Sequence, residues 1–215
     1  LRMPMTLTQQ SAPYANWDFV HSSSGDRLRI IPERGGLVSG WSCGGREILY
    51  FDQDRYADPT KSIRGGIPVL FPICGNLPGD VLSVDGVDHT LKQHGFARDL
   101  PWQLQLLEDQ SGVRLSLSST EATLAAYPFS FLLEMELRPV ASALEISTTV
   151  HNSGDAAMPF SFGLHPYFNV SSLAGLGFSG MPAECFDHKV MAPAPTAEQL
   201  QRLEQGIDLL VRPDG

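Results

Sequence analysis

Phe129-Ser130-Phe131-Leu132-Leu133-Glu134-Met135-Glu136-Leu137-Arg138 decides the fold class. Phe129, Phe131, Leu133, Met135 and Leu137 fall on one side of an extended chain, and Ser130, Glu134, Glu136 and Arg138 fall on the other. Side chains alternate between the two faces of a strand, so this period of two describes a half-buried strand with one wet face. Residues 143–151 repeat the pattern, with Leu144, Ile146, Thr148 and Val150 opposed to Glu145, Ser147, Thr149 and His151. The short connection over residues 139–142 predicts that the two strands pair antiparallel.

Working outward, weaker strands are expected at residues 17–21, 27–31, 37–41, 47–51, 102–107, 113–118 and 158–162. The 20 glycines and 16 prolines of this chain of 215 residues exceed average usage, and such punctuation favours short strands and turns over long helices. Together these features predict an all-β sandwich or barrel. One helix is expected. Thr196-Ala197-Glu198-Gln199 has capping-box spacing, Leu200 and Leu203 give a short apolar stripe, and Gly206 stops it. With no internal repeat or linker, residues 1–13 are expected to be a flexible N-terminal tail and residues 14–215 a single β-sandwich domain.

Charge and composition exclude several classes. The chain carries 24 acidic and 15 basic residues, a net charge of −9, which disfavours partners whose phosphates need neutralising: nucleic acid and anionic membrane surfaces. An apolar fraction of 42% with 18% charged residues describes a folded globular protein. A chain of this size buries roughly 70% of its unfolded surface and needs no metal or disulfide staple. Cys43, Cys74 and Cys185 form no C-x-x-C pair, so a disulfide framework or structural zinc site is not expected, and a reducing, cytoplasmic setting is. Residues 156–183 lack Asp, Glu, Lys and Arg apart from their flanks, yet Pro159, His165, Pro166, Asn169 and Pro182 make them unsuitable as a membrane helix. No secretory leader is expected of residues 1–13, which lack a continuous apolar run.

Three segments depart from the strand pattern. In Ile63-Arg64-Gly65-Gly66-Ile67-Pro68-Val69-Leu70-Phe71-Pro72-Ile73-Cys74-Gly75, an arginine stands beside glycines that allow close backbone approach. This arrangement suits an oxygen-rich ligand, and reads equally as a turn followed by a buried strand. Gln93-His94-Gly95-Phe96-Ala97-Arg98 gathers donors of several geometries within six residues; it is also readable as a polar loop. Ser161-Phe162-Gly163-Leu164-His165-Pro166-Tyr167-Phe168 sets a histidine among aromatics, where desolvation would lower its pKa toward acid/base duty, or where it is a satisfied turn residue. No metal-ligand spacing, P-loop, nucleophile elbow or dinucleotide fingerprint occurs.

In this order and at these distances, Gly65-Gly66-Ile67-Pro68-Val69-Leu70-Phe71-Pro72, Gln93-His94-Gly95-Phe96-Ala97-Arg98 with Trp102, and His165-Pro166-Tyr167-Phe168 resemble the aldose 1-epimerase (galactose mutarotase) superfamily. Arg64 and the Gln93–Arg98 run are most similar to its hexose-6-phosphate 1-epimerase branch. The resemblance extends over about residues 17–210 and implies a large antiparallel β-sandwich, the galactose mutarotase-like supersandwich. It implies that His165 is the general acid on the sugar ring oxygen, and that Arg64, Gln93 and Arg98 contact substrate, the arginines holding a 6-phosphate. By the same resemblance His94 corresponds to a sugar-contacting histidine and Asp208 to a hydroxyl-binding aspartate.

The implied reaction interconverts the anomers of a hexose or hexose 6-phosphate without cofactor or metal. A base removes the anomeric hydroxyl proton while an acid protonates the ring oxygen; the C1–O5 bond opens, C1 rotates and the ring recloses. The implied partner is a small-molecule sugar or sugar phosphate, and the implied state a monomer or weak homodimer. The family's base is a glutamate in a Glu-Pro-Trp-like context on a late strand. No such motif occurs here, so the base and the last strands are expected beyond Gly215. The alternatives are a non-catalytic carbohydrate-binding module on the same fold and a purely structural sandwich.

Overall fold

The structure is a computed structural model that describes residues 5–21 and 24–212. The chain divides into two compact units, residues 1–169 and 170–215, where a single domain over residues 14–215 is expected from the sequence.

In the first unit, β1 (Met5–Gln10), β2 (Asn16–His21), β3 (Arg27–Ile31), β4 (Leu37–Cys43) and β5 (Arg46–Glu47) form an antiparallel meander in chain order. A one-turn helix α1 (Gln53–Tyr56), the short strand β6 (Val69–Leu70) and the hairpin β7 (Val81–Val84) and β8 (Val87–Thr90) follow. Then come β9 (Gln103–Leu106), β10 (Val113–Ser118), α2 (Glu121–Ala126), β11 (Phe131–Val140) and β12 (Ala143–Asn152). These four strands make a second sheet, ordered β12-β11-β10-β9, and β13 (Gly163–Leu164) pairs with β6. The second unit is built on β14 (Glu184–Asp187), β15 (Ala192–Pro195), α3 (Thr196–Leu200) and β16 (Leu209–Leu210), with strand order β15-β14-β16.

The alternation that opens the sequence reading is realised in β11. Phe131, Leu133, Met135 and Leu137 are at most 2% exposed, and they join Phe19, Leu28, Ile30 and Val38 of the other sheet in one hydrophobic core. Leu133 lies opposite Val150 and Met135 opposite Thr148, the antiparallel pairing expected of these two strands. On the wet face Glu136 takes Arg114 and Arg138, each at 2.6 Å. Hydrogen bonds from Arg114, then from Arg138, hold the Glu136 carboxyl below the usual carboxylate range. These side chains are solvated, so the network orders the surface more than it stabilises the fold.

Several expectations are corrected. Met5–Gln10, expected within a flexible tail, is β1, paired with β2 from Met5↔His21 to Gln10↔Asn16. The 158–162 segment is not a strand; Phe160 is 48% exposed, and pairing moves to Gly163 and Leu164, opposite Leu70 and Val69. Of residues 47–51, only Glu47 belongs to a strand, while Leu49 and Phe51 make isolated bridges to Phe168 and Gly65. The helix at residue 196 forms, but Pro195 is its N-cap with no side-chain cap bond. Thr196 is instead the first helical residue, its hydroxyl buried without a protein hydrogen-bond partner. The capping box lies at α2, where Thr120 accepts from the Thr123 N–H and the Thr123 hydroxyl accepts from the Thr120 N–H. The helix at residue 196 also stops earlier than expected, at Leu200, and Gly206 at φ 77° instead ends a separate 3-10 turn over Leu203–Gln205.

Leu133 is fully buried in a central strand, so Leu133→Ala is expected to destabilise the protein by about 2–5 kcal/mol in urea unfolding. The half-buried Leu144, on the edge strand β12, loses less when cut back to alanine. Equal losses at the two positions would contradict the assignment of the core face.

Candidate active site

The site is assembled by backbone approach. Gly66 has φ 66°, and a Cβ there would collide with the Val38 carbonyl. Freed of that side chain, the strand entering β6 is bonded on both flanks. Gly66 N–H donates to the Tyr50 carbonyl at 2.8 Å, and Tyr167 N–H donates to the Gly66 carbonyl at 2.9 Å. Ile67 N–H reaches the Val38 carbonyl at 2.9 Å, and His165 N–H reaches that of Pro68 at 3.0 Å. The 63–75 and 161–168 segments, far apart in sequence, are thereby fixed side by side.

The next chain segment places the 93–98 loop. Both Phe96 N–H and Ala97 N–H donate to the Phe71 carbonyl, at 3.1 and 3.2 Å. Trp102, 5% exposed, anchors the loop by donating its indole N–H to the Ala97 carbonyl at 2.9 Å. The Arg98 guanidinium donates to the Gln93 carbonyl at 3.2 Å, so the two polar ends of the loop support each other.

Gln93, His94, Arg98 and His165 line one cavity of about 460 Å³. Four of the six residues expected at a site are thus together. The Arg64 side chain is exposed and does not line this cavity, and its carbonyl accepts from Asp52 N–H at 2.9 Å. Asp208 is exposed in the second unit, its carboxylate 3.2 Å from His188 Nδ1. Arg34, Lys61 and Asp99 also line the cavity and were not singled out from sequence. Among the described residues no group of three or more His, Cys, Asp or Glu is placed to hold a metal.

The two histidines differ. His165 is exposed, its ring 5.1 Å from that of Tyr167, so the burial expected from its apolar neighbours is not found. Burial falls on His94 instead and pushes its pKa down, with the charges of Arg98 and His165 adding to the effect. His94 is held at φ 63° by a reciprocal pair of bonds. Its N–H donates to the Gly75 carbonyl at 2.8 Å, and Gly75 N–H donates back to His94 Nδ1 at 2.8 Å. A backbone N–H can only donate, so Nδ1 must be the acceptor and the neutral ring carries its proton on Nε2. The loop therefore presents His94 as a neutral hydrogen-bond donor.

Because its pKa is lowered in the folded state, His94 contributes stability above the ordinary histidine value and loses that contribution as pH falls through it. Nitrogen-15 NMR of the ring is expected to show the Nε2–H tautomer, with a midpoint below about pH 6.5, where an unperturbed histidine is half charged. An Nδ1–H tautomer, or titration above that pH, would contradict the geometry.

The family described as Aldose 1-epimerase matches residues 22–205. A protein of Salmonella typhimurium provisionally named glucose-6-phosphate 1-epimerase is 33% identical over 148 residues, covering 67% of this chain and 46% of that protein. The chain spans about half the length of the curated relatives it matches. Among solved structures, the Slr1438 protein of Synechocystis sp. PCC 6803 is 41% identical with a TM-score of 0.80, over 88% of this chain and 66% of that one. A galactose mutarotase-like protein of Clostridium acetobutylicum is 20% identical with a TM-score of 0.69, over 95% of this chain and 69% of the other, and bears on the fold alone. No helix among the described residues is long and apolar enough to cross a membrane. In its motifs, its all-β fold of antiparallel sheets and the extent of these matches, the chain belongs to the aldose 1-epimerase family.

Proposed function

We propose that the protein carrying this chain interconverts the α and β anomers of a hexose or hexose 6-phosphate by acid/base ring opening and reclosure. The observation that carries this reading is the convergence of His94 and His165 on one cavity with Gln93 and Arg98. A cavity of about 460 Å³ is ample for one sugar ring.

In this reading His165 is the acid. It protonates the ring oxygen as the C1–O5 bond breaks, while a base takes the proton of the anomeric hydroxyl and C1 becomes the free aldehyde. Rotation about C1–C2 and the reverse proton transfers give the other anomer. His94, locked with Nε2–H outward from its bonded Nδ1, donates to a sugar oxygen, and Gln93 and Arg98 fix other hydroxyls or the phosphate. Arg64 and Asp208 remain proposed substrate contacts by resemblance. The free thiols of Cys43, Cys74 and Cys185 suit a reducing cytoplasm.

A second reading, a carbohydrate-binding module without catalysis, draws on the carboxylates. Among the described residues lining the cavity, Asp99 is the only carboxylate. The two readings separate cleanly by NMR exchange spectroscopy between sugar anomers. The epimerase predicts exchange faster than in buffer, and His165→Asn lowers kcat by about 10²–10⁴-fold, the usual contribution of a positioned acid. Sugar binding with exchange at the buffer rate would establish the binding module, and an unchanged rate in His165→Asn would remove His165 from the chemistry.

A further inference from the structure

One stretch of the cavity wall is held differently from the rest. Pro59, Thr60, Lys61, Ser62 and Ile63 line the cavity as a single run. The stem on which this run stands is firm. Asp52 N–H donates to the Arg64 carbonyl at 2.9 Å, Gly66 N–H donates to the Tyr50 carbonyl at 2.8 Å, and Phe51 bridges Gly65. Beyond that stem the run is bonded mainly to its own turn. Lys61 N–H donates to the Asp58 carbonyl at 3.1 Å, and the Thr60 N–H and hydroxyl donate to the Asp58 carboxylate at 3.0 and 2.6 Å. Among the described residues, no hydrogen bond joins residues 59–63 to the walls that carry Arg34, the 93–98 loop or His165.

Arg55 supplies the tie that the walls do not. Its Nε donates to the Ser62 carbonyl at 2.7 Å and its Nη2 to the Ser62 hydroxyl at 3.0 Å. A guanidinium holds its N–H groups in a fixed planar fork, so two bonds to one residue set that residue's orientation as well as its distance. Arg55 itself does not line the cavity.

The arginine reaches out from a fixed post. It lies in α1, where its own N–H donates to the Asp52 carboxylate at 2.9 Å. The next residue, Tyr56, packs on Tyr14 at 4.9 Å and on Phe51 at 5.4 Å. The Arg34 guanidinium carbon lies 4.9 Å from the centre of the Tyr56 ring, within cation–π range. Tyr56 thus pins α1 to the Arg34 wall, and Arg55 extends from the same turn to the 59–63 run.

We propose that Arg55 is a positioning residue whose grip on Ser62 latches residues 59–63 as a strap along the sugar cavity, so that retention of the sugar depends on a side chain outside the lining. The proposal rests on the sugar-cavity reading above and adds the residue that sets this wall. With the grip broken, the strap keeps its stem and its Asp58 turn but loses its tie to α1. His165, whose segment is bonded to Pro68 instead, keeps its place, so the loss falls on binding and not on the chemical step.

The test compares Arg55→Gln, Arg55→Lys and Ser62→Ala with the wild-type protein carrying this chain, with glucose 6-phosphate as the probe. Arg55→Gln is expected to raise KM about fivefold or more, the scale of a partly solvated charge-assisted hydrogen bond, with kcat within about twofold. Amide hydrogen exchange over residues 60–63, read by mass spectrometry, becomes about tenfold faster while the melting temperature stays within about 2 °C. Ser62→Ala, which keeps the carbonyl contact, shifts both readouts less, and Arg55→Lys recovers part of the loss. The double variant is no worse than Arg55→Gln, because both act on one contact. Arg46→Gln on β5 changes nothing. If Arg55→Gln does not fold, Ser62→Ala carries the same comparison. A rise in KM without faster strap exchange, faster exchange without a rise in KM, or a fall in kcat at constant KM would overturn the latch. Should the wild-type protein bind glucose 6-phosphate without exchanging its anomers, the epimerase reading fails, and the Kd from calorimetry takes the place of KM in testing the latch. A wild-type protein that does not bind the sugar overturns the cavity reading and the strap's role with it, whereas normal binding by wild type and Arg55→Gln alike overturns the latch alone.

Discussion

The site depends on one steric constraint, the absence of a side chain at residue 66. The strand entering β6 runs so close to β4 and to the segment around Tyr50 that any Cβ at Gly66 would overlap the Val38 carbonyl. With glycine there, the backbone of residues 66–68 is bonded to Tyr50, Val38, Tyr167 and His165. A larger residue would have to bend the strand outward, and the His165 segment, bonded to its far edge, would move with it. The same strand continues to Phe71, whose carbonyl takes both N–H groups of the 96–97 turn. The positions of the two cavity histidines therefore follow from one closely packed length of backbone.

Electrostatics then divides the labour. His94 is surrounded by burial, Arg98 and His165, all of which disfavour a second positive charge. The Gly75 N–H at its Nδ1 adds a geometric lock, because protonating that nitrogen would set two donors against each other. His165 has no such lock and faces solvent. The two histidines of the cavity thus differ: His94 is fixed by its loop, and His165 is exposed to solvent.

Legibility in the sequence followed the range of the interactions. The strands of the second sheet were readable because alternation is local and their inner faces are buried. The hairpin of β7 and β8 turns at Asp85-Gly86, both at positive φ, a two-residue turn signal plain in the sequence. β1 shows Met5 and Leu7 alternating with Thr6 and Thr8, but its neighbours are polar and few of its residues are buried, so nothing but its pairing with β2 marks it as ordered. Gln93, His94 and Arg98 were found together because a single loop carries them. Arg34 and Lys61 were not, since each sits in an ordinary turn and gains its meaning only when the fold brings three segments around one cavity. His165 was found by its motif, but its exposure was misjudged, because aromatic neighbours in sequence need not be neighbours in space.

In the proposed reaction a single cavity orients a sugar beside His94 and His165. A crystal structure of the protein with glucose 6-phosphate tests it most directly. The pyranose ring is expected beside His94 and His165, with its ring oxygen toward His165. A sugar bound elsewhere, or one in this cavity with its ring oxygen turned away from His165, would contradict the proposed reaction.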